Sequence, residues 1–252
     1  MARISRNQIA ARYLQGEGIE IGALHNPMRA PRKARVSYVD CLPLKELQAL
    51  YPHVHPRKFV PVDILDDGQT LRTLDAASQD FIIANHLLEH CQDPIRTLLR
   101  FFEVLRDGGI LFLAIPDMRF TFDHDRPPTT LEHVIEDYER GPEHSKEAHI
   151  REVIRITEKI TELDAVEVRV RELMENDSCI HYHAWSQHEM FRLFEHVRSR
   201  VAFDIEQFVD LRGECLFVLR KGNLPASRPL EAKDKKRAKQ PYVHQLLGRG
   251  ST

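Results

Sequence analysis

Short apolar runs alternate with helical periodicity through the first half of the chain, and that alternation constrains the fold more than any other feature. The runs "IEIGA", "VSYVD", "FVPVDI", "DFIIAN" and "GILFLAIPD" have the length and composition of strands. Between them, "LPLKELQALY" and "PIRTLLRFFEVLRDGG" carry apolar residues at helical spacing. Strands separated by helices are joined by crossovers rather than hairpins, which predicts a parallel sheet with helices on its faces. The clearest helix runs from Pro94 to Arg106. Pro94 suits its first turn, Ile95, Leu98, Leu99, Phe102 and Leu105 recur on one side, and Gly108-Gly109 stops it. Near the end, "FDIEQFVDLRGECLFVLRKG" reads as two strands joined around Arg212-Gly213, an antiparallel hairpin that completes a mostly parallel, doubly wound α/β sheet.

A chain of 252 residues, 42% hydrophobic and 29% charged, can bury one full-sized core. Residues 1–221 are expected to form a single domain. Within it, residues 118–178 turn charged and helical in pattern, which reads as an insertion after the fifth strand, over the sheet's ligand end. Residues 222–252 read as a basic tail with no apolar face. The net charge of −2 gives no global reason to expect nucleic acid. No apolar run approaches the roughly 18 residues of a membrane span, and the amino terminus lacks the apolar core of a signal peptide. Cys41, Cys91, Cys179 and Cys215 form no CxxC pair, so neither a disulfide framework nor a cysteine zinc site is signalled. The expected compartment is the reducing cytoplasm.

In an open α/β sheet, ligands sit beyond the carboxyl ends of the strands, near the point where strand order reverses. Those ends carry Glu20, Gly22, Asp40, Asp63 and Asn85. A dinucleotide favours a glycine-rich turn, because its pyrophosphate rests on backbone N–H groups at a helix start. Here Gly22 is followed by "ALHNPM". A nucleoside without that phosphate needs no such cradle but still needs a carboxylate for its ribose hydroxyls, and Asp40 ends the second strand where that carboxylate belongs.

The segments "GIEIGALHNP", "YVDCLP", "PVDILDDGQTL", "DFIIANHLLEHCQDPIRTLLRFFEVLRDGGILFLAIPD", "RFTFDHDRP" and "IHYHAWS" resemble class I S-adenosylmethionine-dependent methyltransferases. The similarity is greatest to a methyltransferase type 11-like group associated with glycan biosynthesis. The resemblance implies a Rossmann-like, seven-stranded sheet with S-adenosylmethionine as cofactor. It further implies that Glu20 and Gly22 hold the cofactor's amino-acid end, Asp40 the ribose, and Asp63 with Ile64 the adenine. Asn85 would form the floor beneath the sulfonium, with His86 and His90 beside it. The broad family's alternating glycines are missing after Gly22.

"HLLEH", His86 to His90, also matches an inverted zinc-protease pattern, but it follows a strand and precedes "CQDP" rather than lying within a helix. Asp66, Asp67 and Asp80 read as turn and strand-start residues. Methyl transfer to a hydroxyl requires a base, and histidine suits neutral pH. Two clusters offer one: "FTFDHDRP", with Asp123, His124 and Asp125, and "CIHYHAWS", where the strand-like spacing of His181 and His183 puts both on one face. These residues with Asp123 or Asp125 are also the types that bind a divalent metal, but no metal ligand set is assigned. Trp185 either stacks on a sugar ring or packs at the start of the helix after Ser186. The expected activity is O-methylation of a sugar or glycan precursor, with a small-molecule N- or carboxyl-methyltransferase and a non-catalytic scaffold as alternatives. The expected partner is a small-molecule or glycan acceptor, without nucleic acid or membrane span, and a second copy of the chain is allowed.

Overall fold

The computed structural model describes residues 4–176 and 178–222. In chain order the elements are α1 (Arg6–Tyr13), β1 (Gly16–Ile21), β2 (Ala34–Asp40), α2 (Leu44–Leu50), β3 (Ile64–Leu65), β4 (Gln79–Asn85), α3 (Pro94–Val104) and β5 (Leu105–Pro116). There follow α4 (Leu131–Arg140), α5 (Lys146–Glu152), α6 (Leu163–Glu175), α7 (Gln187–Arg198), β6 (Phe203–Asp210) and β7 (Glu214–Lys221). The strands form one seven-stranded sheet in the order β3-β2-β1-β4-β5-β7-β6. β7 is antiparallel to both β5 and β6, while the pairings among β1 to β5 are parallel. This is the doubly wound, Rossmann-like arrangement with its terminal hairpin, and its strand order reverses between β1 and β4.

Strand alternation sorts the core into two layers. Phe81 and Ile83 of β4 join Ile110, Phe112 and Ala114 of β5 on one face, beneath Ile9 and Ala10 of α1. Ile82 and Ala84 join Leu111, Leu113 and Ile115 on the other, beneath α3 and α7. The apolar stripe expected on α3 is present, but Pro94, Thr97 and Phe101 are buried as well. The reason is that α4 and α7 pack against its outer side. β1 and β4 approach closely because Gly18 presents no side chain: a Cβ there would lie 2.4 Å from the Phe81 carbonyl oxygen.

Two boundaries differ from expectation. The third strand is confined to Ile64–Leu65 rather than covering "FVPVDI". Pro61 has no N–H for a ladder, and Phe59 turns into a small cluster with Leu47 and Tyr51. α3 ends at Val104, two residues early, because Leu105 is already extended and opens β5. Residues 118–178 are largely helical and contain α4, α5 and α6, with a π-helical turn at Val153–Thr157. Ile150, Ile154, Val166, Val170, Leu173 and Tyr182 give this region a core of its own. Among the described residues no helix is long and apolar enough to cross a membrane. The basic tail expected over residues 222–252 lies, apart from Gly222, outside the described residues.

Candidate active site

At the carboxyl ends of β1 and β4 opens a cleft of about 620 Å³. The structure brings Glu20, Gly22, Asn85, His86, His90 and His181 to its walls. A narrow hollow continues from it past Ile21, Gly22 and Leu87 to Asp40, Gly68 and Gln69. The loop after β1 is shaped without a glycine row. Gly22 takes φ +65°, Leu24 takes φ +49°, and the buried Glu20 carboxylate accepts the Met28 N–H at 2.8 and 3.1 Å. Glu20 thus closes the loop on itself, as a row of backbone amides would around a phosphate.

Burial pushes the Glu20 carboxyl up to about 7, against the Met28 hydrogen bond and the Arg6 charge, which pull it down. Burial likewise raises Asp40 to about 6, although the Leu42 and Cys41 backbone amides hold it down. The Asn85 Oδ1 and His25 Nδ1 atoms are buried and have no hydrogen-bond partner among the described residues. The inner end of the cleft therefore presents acceptors at an environment that disfavours bare negative charge, a setting that a cationic ligand stabilises.

His181 forms the opposite wall. Its Nδ1 lies 2.6 Å from Asp123 Oδ2, and Asp123 is itself held by Arg126 at 2.8 Å. Burial raises the Asp123 carboxyl, but His181 and Arg126 outweigh it and leave it below the usual carboxylate range. With Asp123 ionised, His181 Nδ1 donates to it, and in the neutral ring this leaves the lone pair on Nε2, which is the arrangement of an oriented base. Beside it, His90 Nδ1 contacts the Ile180 carbonyl at 2.9 Å, and the rings of His90 and His181 meet edge to face at 4.5 Å. Glu89 is fully buried, its carboxylate finds no hydrogen-bond partner among the described residues, and burial raises its pKa.

His86 takes φ +51° and contacts Glu214 Oε2 at 2.8 Å. Burial lowers its pKa, but the Glu214 hydrogen bond and the charges of Glu89 and Glu214 outweigh this and raise it. Arg6 from α1 completes the group by pairing with Glu214, 208 positions away, at 2.6 Å. Arg6 and Glu214 escaped the sequence reading because one lies before the first strand and the other opens the last. Gly68 and Gln69 were legible only as a turn following Asp66 and Asp67.

Several expected site residues lie elsewhere. Asp63 is exposed, outside the cleft and hollow, and its carboxylate accepts the Tyr38 N–H at 2.9 Å. Ile64 packs against the sheet core. His124 points to solvent, bonded to the Thr121 carbonyl at 2.9 Å. His183 does not share a face with His181: residues 178–186 form no strand, so a spacing of two does not set a common side, and His183 turns inward to stack on Trp185 at 5.0 Å. Trp185 is buried and leads into α7, whose start is closed by a capping box between Ser186 and Glu189. Asp66 and Asp67 serve their turn, and Asp80 holds the Glu17 N–H at the sheet's opposite end.

A family model described as a methyltransferase domain matches residues 11–197. No curated protein matches the chain. Among solved structures, a Rhodobacter sphaeroides protein described as a candidate Zn-dependent alcohol dehydrogenase is 16% identical with a TM-score of 0.50, over 88% of this chain and 92% of that one. A Bacillus halodurans candidate methyltransferase is 12% identical with a TM-score of 0.46, over 86% and 96%. An Aquifex aeolicus SAM-dependent methyltransferase is 12% identical with a TM-score of 0.44, over 82% of each chain. Identities this low speak to the fold alone, so the dehydrogenase description carries no activity to this chain.

Proposed function

Because the chain belongs to the methyltransferase domain family, in the class I group that uses S-adenosylmethionine, we propose that it methylates a hydroxyl of a sugar or glycan precursor. The residues of the cleft fit that cofactor. The unpartnered Asn85 Oδ1, together with Glu20, suits a cationic amino-acid end. Asp40, at the head of the narrow hollow, suits a pair of ribose hydroxyls. When bound, the cofactor supplies a methyl group already activated on a sulfonium.

The chain must then hold an acceptor in line, exclude water and take up a proton. The observation that carries the hydroxyl reading is the His181–Asp123 pair on the cleft wall. Asp123 holds the ring with Nδ1 protonated, so Nε2 is the group that takes the acceptor's proton. Carboxylates, and amines bound in their neutral form, are nucleophilic without such a base and do not call for that pairing. The open side of the cleft, where Thr121 and the exposed Phe122 stand, has room for a sugar-sized acceptor. We place the reaction in the cytosol, in keeping with scattered cysteines at 41, 91, 179 and 215.

The test is methyl uptake from labelled S-adenosylmethionine by a panel of nucleotide sugars, glycan fragments, amines and carboxylic acids. Transfer to a sugar hydroxyl supports the reading. Transfer confined to amines or carboxylates overturns it in favour of another acceptor class, and calorimetry showing no cofactor binding overturns catalysis itself.

A further inference from the structure

We infer that His133, Asp137, His149 and His183 form a binding site for a divalent transition metal of the Zn²⁺ type, separate from the cleft. One ligand atom from each of the four lies within 4.8 Å of the others. His133 and Asp137 stand one turn apart on α4, His149 comes from α5, and His183 comes from the irregular segment 178–186. Three imidazoles and one carboxylate are a zinc donor set. With metal–nitrogen bonds of about 2.0–2.1 Å, tetrahedral donors stand roughly 3.3 Å apart. Here His133 Nε2 is 2.8 Å from His149 Nε2 and 3.2 Å from Asp137 Oδ2, and His149 Nε2 is 3.8 Å from Asp137 Oδ2.

The protein-only network satisfies this cluster only in part. His183 is 1% exposed, and neither ring nitrogen has a hydrogen-bond partner among the described residues. The Gln92 backbone acts on the ring without completing a hydrogen bond. Asp137 is wholly buried, and its Oδ2 is likewise without a hydrogen-bond partner. Its Oδ1 accepts the Ser145 hydroxyl at 2.5 Å, the outer contact that orients a ligating carboxylate. An imidazole and a carboxylate oxygen left without hydrogen-bond partners in one largely buried cluster each carry a desolvation cost. A cation bound between them removes both.

Four protein ligands leave no open position, so the site is structural rather than catalytic. It ties α4 and α5 to the 178–186 segment, two residues beyond His181. The inference rests on this geometry and not on the nature of the acceptor.

Full-length protein stripped with a chelator is titrated with Zn²⁺, and uptake and melting temperature are followed. Binding of about one Zn²⁺ per chain with a rise in melting temperature is expected. His133→Ala is the variant of choice because that ring is partly exposed and its loss leaves the core filled. Its affinity should fall by more than about a hundredfold, and His183→Ala should behave alike. His181→Ala distinguishes this site from the smaller Glu89, His90 and His181 group in the cleft. Retention of Zn²⁺ in that variant supports the inference; its loss there, with retention in His133→Ala, overturns it, as does absence of uptake by the unmodified protein. Should His183→Ala fail to fold, a tetrahedral absorption spectrum of the Co²⁺-loaded unmodified protein decides the matter, and an octahedral spectrum counts against it.

Discussion

Asp123 and His181 are 58 positions apart in the chain and 2.6 Å apart in space, and the chemistry proposed for the cleft depends on that meeting. Replacing His181 with Ala is expected to lower turnover by about a hundredfold to ten-thousandfold while leaving cofactor affinity in place. His124→Ala, on a solvent-facing ring, should change neither, and steady-state kinetics beside calorimetry compares the two. Glu20 supplies a second prediction. Its carboxyl titrates near 7 in the folded chain against an ordinary 4.5, so its neutral form is the favoured one. The stability this contributes is fully present below pH 4.5 and is lost as pH rises through about 7. Relative to Glu20→Gln, cofactor-free protein should lose up to about 3 kcal/mol across that window, read from denaturant titrations at each pH. A cationic ligand favours the ionised carboxylate, so cofactor affinity should rise across the same window, and more steeply than in the Gln variant, which keeps the titration of Asp40.

At the scale of elements, the candidate site depends on how closely β1 approaches β4, since Glu20 stands on one, with Gly22 just past its end, and Asn85 on the other. That spacing is set at Gly18, where a Cβ would meet the Phe81 ring at 2.5 Å as well as its carbonyl. Gly18→Ala is therefore expected to cost about 1–3 kcal/mol by forcing the two strands apart. Because the shift reaches the cleft, it should weaken cofactor binding too. Chemical denaturation and calorimetry on the same sample check both effects, and unchanged stability would remove Gly18 from this role. α1 contributes differently: Ile9 and Ala10 seal one face of the sheet, and Arg6 reaches over its end to Glu214. The first helix and the last strand are thus joined at the mouth of the cleft.

Taken as a whole, the sheet is closed by β7, which slots between β5 and β6 and ends at Lys221. The Gly222 N–H bonds the Ala202 carbonyl at 2.9 Å, so the last strand is fastened at its final residue. A chain ending at Gly222 is accordingly expected to keep its melting temperature and its cofactor affinity. Thermal unfolding and calorimetry of the shortened chain test this, and a large fall in either would give the remaining residues a part in the fold.

What the sequence determined by itself is the sheet and the near half of the site. Periods of 2 and 3.6 residues are local properties, so the strands, α3 and the terminal hairpin are legible within short windows. Strand ends follow from them, which is why Glu20, Gly22, Asp40 and Asn85 fall at the cleft or its hollow. Asp63 misses because Pro61 delays the start of β3, so the strand's end moves beyond it. The far half was decided only by tertiary structure. The segment carrying His181 and His183 pairs with no strand, and its side chains take their directions from Asp123 on one side and from α4 and α5 on the other. The contacts of Arg6 with Glu214 and of His183 with His133 join residues that no local period relates, and only the packing of the finished fold brings them together.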